Sequence, residues 1–188
     1  MSASPSQNQI NHLIELFEAR RLEQAEALAM LLTQRFPKHP FAWKVLGAVL
    51  QQMGRLEESL APMQSASRLS PQDAEAHSNF GVALKQLGRL DEAEASYKKA
   101  IAVKPNHAGV HSNLGAMLRE VGRLDEAEAS CRQAIAIKPE FAEAHSNLGN
   151  TLKELGRLDE AEASFRQAIV LKPDLAEAHY NLGNTLKE

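Results

Sequence analysis

Residues 88–96 read Gly-Arg-Leu-Asp-Glu-Ala-Glu-Ala-Ser, and the same nine residues return at 122–130 and at 156–164. The step is 34 residues both times. The rest of the punctuation keeps the same time. Glycine falls at Gly54, Gly88, Gly122 and Gly156, and proline at Pro37, Pro71, Pro105, Pro139 and Pro173. Between 108–141 and 142–175, 23 of 34 positions are identical, too many for chance. A fixed period of this length marks a repeat architecture, in which each unit buries its apolar face on its neighbours.

Numbering positions within a repeat from Pro40, Ala74, Ala108, Ala142 and Ala176, each repeat reads as two helices. In the repeat 74–107 the first helix carries Phe80, Ala83, Leu84 and Leu87 at helical spacing. Gly88 follows, where the backbone must leave the right-handed region. The second helix opens at Leu90-Asp91-Glu92, with acidic residues at the positive end of its dipole. Its apolar stripe is Leu90, Ala93, Tyr97, Ala100 and Ile101, and Pro105 stops it. The small residues Gly81, Ala93 and Ala100 let the two helices approach closely.

The predicted organisation is a disordered start at 1–6 and a diverged first repeat at 7–39, with Arg20-Arg21-Leu22 one period before Gly54-Arg55-Leu56. Full repeats follow at 40–73, 74–107, 108–141 and 142–175. The stretch 176–188 supplies only the first helix of a sixth. Leu182 and Leu186 would normally pack on a second helix there. Either the chain is the front of a longer protein or the unpaired helix caps the stack or packs on another molecule. The first is preferred, because a dedicated cap should present a more polar outer face.

In the second repeat Trp43, Leu46 and Gly47, with Leu50 at the tyrosine place, match the signature of the tetratricopeptide repeat. The chain resembles that family over essentially its whole length. The departures are histidine at position 4 of the later repeats and Ser59 at position 20 of the second. The resemblance implies an all-α, right-handed superhelical solenoid of antiparallel helix pairs, about five and a half repeats long. In that family the first helices line the inner groove.

Composition limits the function. The net charge of −3 gives no electrostatic footprint for nucleic acid. No apolar run reaches the length of a membrane span. The start lacks a signal peptide's basic and apolar regions, and the single Cys131 fits a reducing compartment. A cytoplasmic protein is expected. No catalytic constellation stands out, and no metal or cofactor is expected. His77, His111, His145 and His179 lie one period apart, on successive helices, so they form a ladder rather than a converging ligand set. Each is expected to fill its slot with the ring against a neighbour. Cys131 reads as a small packing residue. Glu94 and Lys98, Glu128 and Arg132, and Glu162 and Arg166 are spaced for i, i+4 pairs on a solvated face.

Positions 2, 5, 6, 9, 12 and 13 of the first helix share the face opposite the leucines. Position 6 is Asn79, Asn113, Asn147 and Asn181, and position 12 is Lys85, Arg119, Lys153 and Lys187. Asn150 and Asn184 stand at position 9. An asparagine amide both donates and accepts, matching the one donor and one acceptor that each peptide unit offers. The expected site is therefore a ladder of Asn79, Asn113, Asn147 and Asn181, flanked by Asn150, Asn184, Lys85, Arg119 and Lys153, gripping the main chain of an extended peptide or partner protein. The competing reading is that these amides bridge adjacent helices or face water.

The phrase Ala-His-Ser-Asn-Leu-Gly-Asn-Thr-Leu-Lys-Glu at 144–154 also resembles the repeat arm of O-linked N-acetylglucosamine transferases and their bacterial relatives. That implies a non-enzymatic arm of a larger glycosyltransferase, since nothing here matches its catalytic part. A third class is a structural scaffold whose repeats associate into a homo-oligomer through the exposed last helix. The chaperone-tail carboxylate clamp fits less well: it needs basic residues at positions 2 and 5, which here are Glu or Gly and Ser or Tyr.

Overall fold

The computed structural model describes residues 4–187, which form eleven α-helices and no strand. The chain divides into two compact units between residues 103 and 104. The first holds α1 (Gln7–Glu18), α2 (Leu22–Arg35), α3 (Pro40–Gln52), α4 (Leu56–Leu69), α5 (Ala74–Gln86) and α6 (Leu90–Val103). The second holds α7 (Ala108–Glu120), α8 (Leu124–Ile137), α9 (Ala142–Glu154), α10 (Leu158–Leu171) and α11 (Ala176–Thr185).

The turn inside each helix pair is set by one residue with positive φ. It is Gly54, Gly88, Gly122 and Gly156, at φ between 73° and 77°. In the first pair Arg20 takes the same role at φ 55°, a conformation that costs a side-chain-bearing residue roughly 1–2 kcal/mol. Of the stretch 1–6 read as disordered, residues 1–3 lie outside the described residues. Ser6 caps α1: its hydroxyl accepts from the Gln9 amide, and the Gln9 side chain accepts in turn from the Ser6 amide.

Within a pair, contact is closest where position 8 is glycine. A Cβ added at Gly149 would lie 2.7 Å from the Phe165 ring, one at Gly81 2.8 Å from Tyr97, and one at Gly115 2.6 Å from the Cys131 sulfur. The side chain at position 24 of the second helix thus lies directly on the backbone of the first. Tyr97, Cys131 and Phe165 are all fully buried. Their sizes trade off against position 10. Tyr97 accompanies Ala83 and Phe165 accompanies Thr151, whereas the small Cys131 accompanies Met117.

Successive first helices touch: α1 with α3 and α3 with α5 in the first unit, α7 with α9 and α9 with α11 in the second. Successive second helices within a unit make no comparable contact among the described residues. Small residues at positions 3 and 5, including Ala144, Ser112 and Ser146, are buried in the first-helix seam and allow that approach. Each unit therefore has a closed seam of first helices and open clefts between its second helices.

Among the described residues no helix is long and apolar enough to cross a membrane.

Candidate functional site

The second unit brings several of the expected residues together. On the first-helix face, Arg119 of α7, Asn150, Lys153 and Glu154 of α9, and Glu177 and Asn181 of α11 line a cavity of about 340 Å³. The amides there form a chain. Asn181 Nδ2 donates to Asn150 Oδ1 at 2.8 Å, and Asn150 Nδ2 donates to Glu177 Oε1 at 3.3 Å. Arg119 Nη1 donates to Glu154 at 2.6 Å.

One repeat earlier the linkage differs. Asn147 Nδ2 donates to Ser112 Oγ at 2.9 Å. By the period, Asn181 should donate to Ser146, but Asn150 captures it. Position 9 of the preceding repeat is Ala116, which offers no such acceptor. Ser146 Oγ is left buried with no hydrogen bond, and so is the Nε of Arg119. Buried polar groups are nearly always satisfied, so these two atoms are exceptions within the packed first-helix seam.

Asn147 and Asn181 thus do bridge helices, each spending one donor and keeping its remaining amide capacity. Asn79, on α5, is exposed, Asn113 and Asn184 are half-buried, and none of the three makes a side-chain hydrogen bond among the described residues. Lys85 is half-buried on α5. Position 5 departs from the expectation of an open face: Ser78, Ser112 and Ser146 are buried beneath it, in the seam. Seam packing between successive helices decides this, and spacing along one helix does not report it.

Carboxylates on the same face are held ionised. Lys172 donates to Glu143 at 2.9 Å; that hydrogen bond holds the Glu143 carboxyl below the usual range and raises Lys172. In the first unit, burial pushes Asp73 up, but the Lys44 ammonium at 3.0 Å and the Ala76 amide outweigh it and the net shift is down. Lys44 also reaches Glu75 at 2.8 Å.

The histidine ladder is structural. The Nε2 atoms of His111, His145 and His179 each lie 2.8 Å from the carbonyl of Pro105, Pro139 and Pro173 respectively, and His77 lies 3.1 Å from that of Pro71. A carbonyl only accepts, so this ring nitrogen carries the proton. Trp43 does the same in the second repeat, its indole donating to Pro37 at 2.9 Å. Histidine at position 4 thus replaces the indole as a ring N–H donor to the carbonyl that ends the preceding helix pair. The proline partner was the part that sequence reading missed; the constant six-residue offset was its available signal. Burial pushes the Cys131 thiol up to about 12, leaving no thiolate for nucleophilic chemistry at neutral pH. No group of three or more potential metal ligands occurs among the described residues.

Four family models, described as tetratricopeptide or TPR repeats, match residues 40–106, 78–145, 130–163 and 149–188, and together run unbroken from 40 to 188. This chain belongs to the tetratricopeptide-repeat family. Solved tetratricopeptide structures have the same fold. TTC0263 of Thermus thermophilus superposes at a TM-score of 0.75, with 25% identity over 97% of this chain and 99% of that one. MamA gives a TM-score of 0.77, with 21% identity over 87% and 95%. YrrB, described as a TPR protein with an unusual peptide-binding site, gives 0.75, with 22% identity over 94% and 91%. No match to the sequence was found among curated proteins. The architecture is that of a protein-interaction scaffold.

Proposed function

We propose that the first-helix face binds an extended polypeptide through its main chain, the asparagines at positions 6 and 9 supplying the contacts. The observation that carries this reading is the cavity bounded by Arg119, Asn150, Lys153 and Asn181. A position-6 asparagine that recurs in the four repeats from residue 74 onward suits a ligand whose own hydrogen-bonding groups recur, and the peptide backbone is such a ligand whatever its side chains. A neighbour of the same fold, YrrB, is described by its peptide-binding site, which supports the ligand class. Position 2 carries Glu75, Glu143 and Glu177, so a peptide ending in a cluster of carboxylates is disfavoured here.

The test is selection of peptides from a random display library on the intact protein, followed by affinity measurement. Asn113→Ala with Asn147→Ala should weaken the selected peptides about tenfold or more, with the helical circular dichroism unchanged. Unchanged affinity in this variant and in Asn150→Ala with Asn181→Ala would remove the asparagines from the site.

The reading as a glycosyltransferase arm rests on the phrase at 144–154 and is tested by sequencing the reading frame beyond Glu188. Association between copies is favoured by the exposure of Tyr180 and Leu186 on or beside α11. A monomer across a light-scattering concentration series would remove it.

A further inference from the structure

The first unit holds a cavity of its own, on its second-helix side. It lies in the cleft between α4 and α6 and has a volume of about 730 Å³, within the range of ligand pockets. Phe80 of α5 is half-buried in its lining, with His77 beside it. Arg68 of α4 and Lys99 of α6 are exposed lining residues, and neither has a carboxylate partner among the described residues. Ser67 and Ser96 add hydroxyls to the walls.

The equivalent cleft of the second unit, between α8 and α10, is an internal control. It holds about 430 Å³. Leu148 stands there for Phe80, Gln167 for Lys99 and Ala136 for Arg68. Its one cation, Arg132, is held by Glu128 at 2.8 Å and Glu160 at 3.4 Å. Position 28 separates the clefts most plainly. It is isoleucine at Ile101, Ile135 and Ile169 but serine at Ser67. Replacing a branched aliphatic side chain by a hydroxymethyl vacates volume in the wall, consistent with the larger cavity of this cleft.

We propose that the α4–α6 cleft of the first unit is a second docking site, for an acidic peptide segment of a partner protein carrying an aromatic or large aliphatic anchor. The anchor side chain enters over Phe80, where aromatic rings associate edge to face. Flanking carboxylates meet Arg68 and Lys99, and the Arg68 guanidinium can take a carboxylate in bidentate fashion. Unpaired cations beside an apolar floor favour this ligand over a neutral one, and the chain's net charge of −3 makes a local cationic pair a discriminating feature.

The test uses the full chain and fluorescence anisotropy with three fluorescein-labelled probes: Glu-Asp-Phe-Asp-Glu, its amide form Gln-Asn-Phe-Asn-Gln, and Glu-Asp-Gly-Asp-Glu. The first probe should bind saturably, more weakly as salt rises, and at least tenfold more tightly than the other two. Arg68→Ala with Lys99→Ala should reduce its binding at least tenfold, and both residues are exposed, so the fold should persist. Ser67→Ile should do the same by filling the cavity with the side chain that the three later repeats carry. Asn113→Ala with Asn147→Ala should leave it unchanged, so failure here is separate from failure of the asparagine site. Equal binding of all three probes, no saturable binding, or indifference to the Arg68 and Lys99 substitutions would overturn the proposal. So would a concentration-dependent dimer that displaces the probe, since the occupant would then be a second copy.

Discussion

The helices α4 and α10 occupy the same place in their repeats and have the same fourteen-residue length, yet they are built differently. Helix α10 is regular: Ala161, Ser164, Phe165 and Ile169 follow the pattern of its sisters, and Phe165 is pressed against Gly149. Helix α4 has Ser59, Pro62, Met63 and Ser67 at those positions. Pro62 lies inside the helix and is buried, and Ser67 opens the cleft beside α6. The comparison shows which features a repeat must keep. The left-handed glycine, the glycine at position 8 and the ring donor to the proline carbonyl persist in both, because each answers a backbone constraint. The filling of the cleft is free to change, and it changes beside the cations Arg68 and Lys99.

If close contact at position 8 is what fixes α9 against α10, Gly149→Ala should cost about 2–3 kcal/mol, the upper range of overpacking, since its Cβ would meet a buried ring. Gly183 stands at the same position of the sixth repeat with nothing within 4 Å. Gly183→Ala should therefore stabilise by about 0.5–1 kcal/mol through helix propensity. Thermal unfolding of the pair checks the sign reversal. Equal effects would show that contact at this position is not what fixes the helices.

A smaller change is expected at Pro62. A proline inside a helix costs about 3 kcal/mol relative to alanine, part of which the burial of its ring offsets. Pro62→Ser restores the residue found at Ser96 and Ser164 and should stabilise by about 1–2 kcal/mol in urea unfolding.

Asp73 sets α5 apart from the other first helices at its position. It caps α5 by accepting from the Ala76 amide at 3.1 Å, whereas α7, α9 and α11 have no side-chain cap. Asp73→Ala should cost about 1 kcal/mol at neutral pH. The carboxyl is depressed in the folded state, so its contribution is complete above its unfolded value near 4 and is lost as pH falls through and below it. The difference between melts of the two proteins should start to shrink as pH falls through about 4 and close only below the lower folded-state value. A difference that persists in acid would mean that the ionised carboxylate is not the source of the stability.

The least energetic change concerns the amide chain. Asn150→Ala removes the acceptor that diverts Asn181, and Asn181 should then donate to Ser146 as Asn147 does to Ser112. Stability should move by less than about 1 kcal/mol, one hydrogen bond being exchanged for another. A structure of the variant reads the switch directly.

Much of this was legible in the residues. Gly88 and its periodic copies announce the turn, Pro105 the end of the second helix, and Trp43 with Gly47 the family. The pairs Glu94–Lys98, Glu128–Arg132 and Glu162–Arg166 form at 2.7–2.8 Å, as their spacing implies. The asparagine column was legible as a column, but its partners were not. Whether Asn147 meets Ser112 or Asn181 meets Asn150 depends on the offset between successive first helices, which the period does not encode. The α4–α6 cleft left a visible trace in Ser67, the one serine in a column of isoleucines. The meaning of that trace needed the neighbouring helix and the unpaired cations.

Main-chain recognition is tested most directly by scanning a display-selected peptide twice, once with N-methyl groups on successive backbone amides and once with alanine at successive side chains. If the asparagines grip the backbone, N-methylation at the residues facing Asn113, Asn147 and Asn181 lowers affinity about tenfold each, the loss of roughly 1.4 kcal/mol, and most alanine substitutions cost less. Affinity that survives N-methylation but collapses on removal of particular side chains would contradict it.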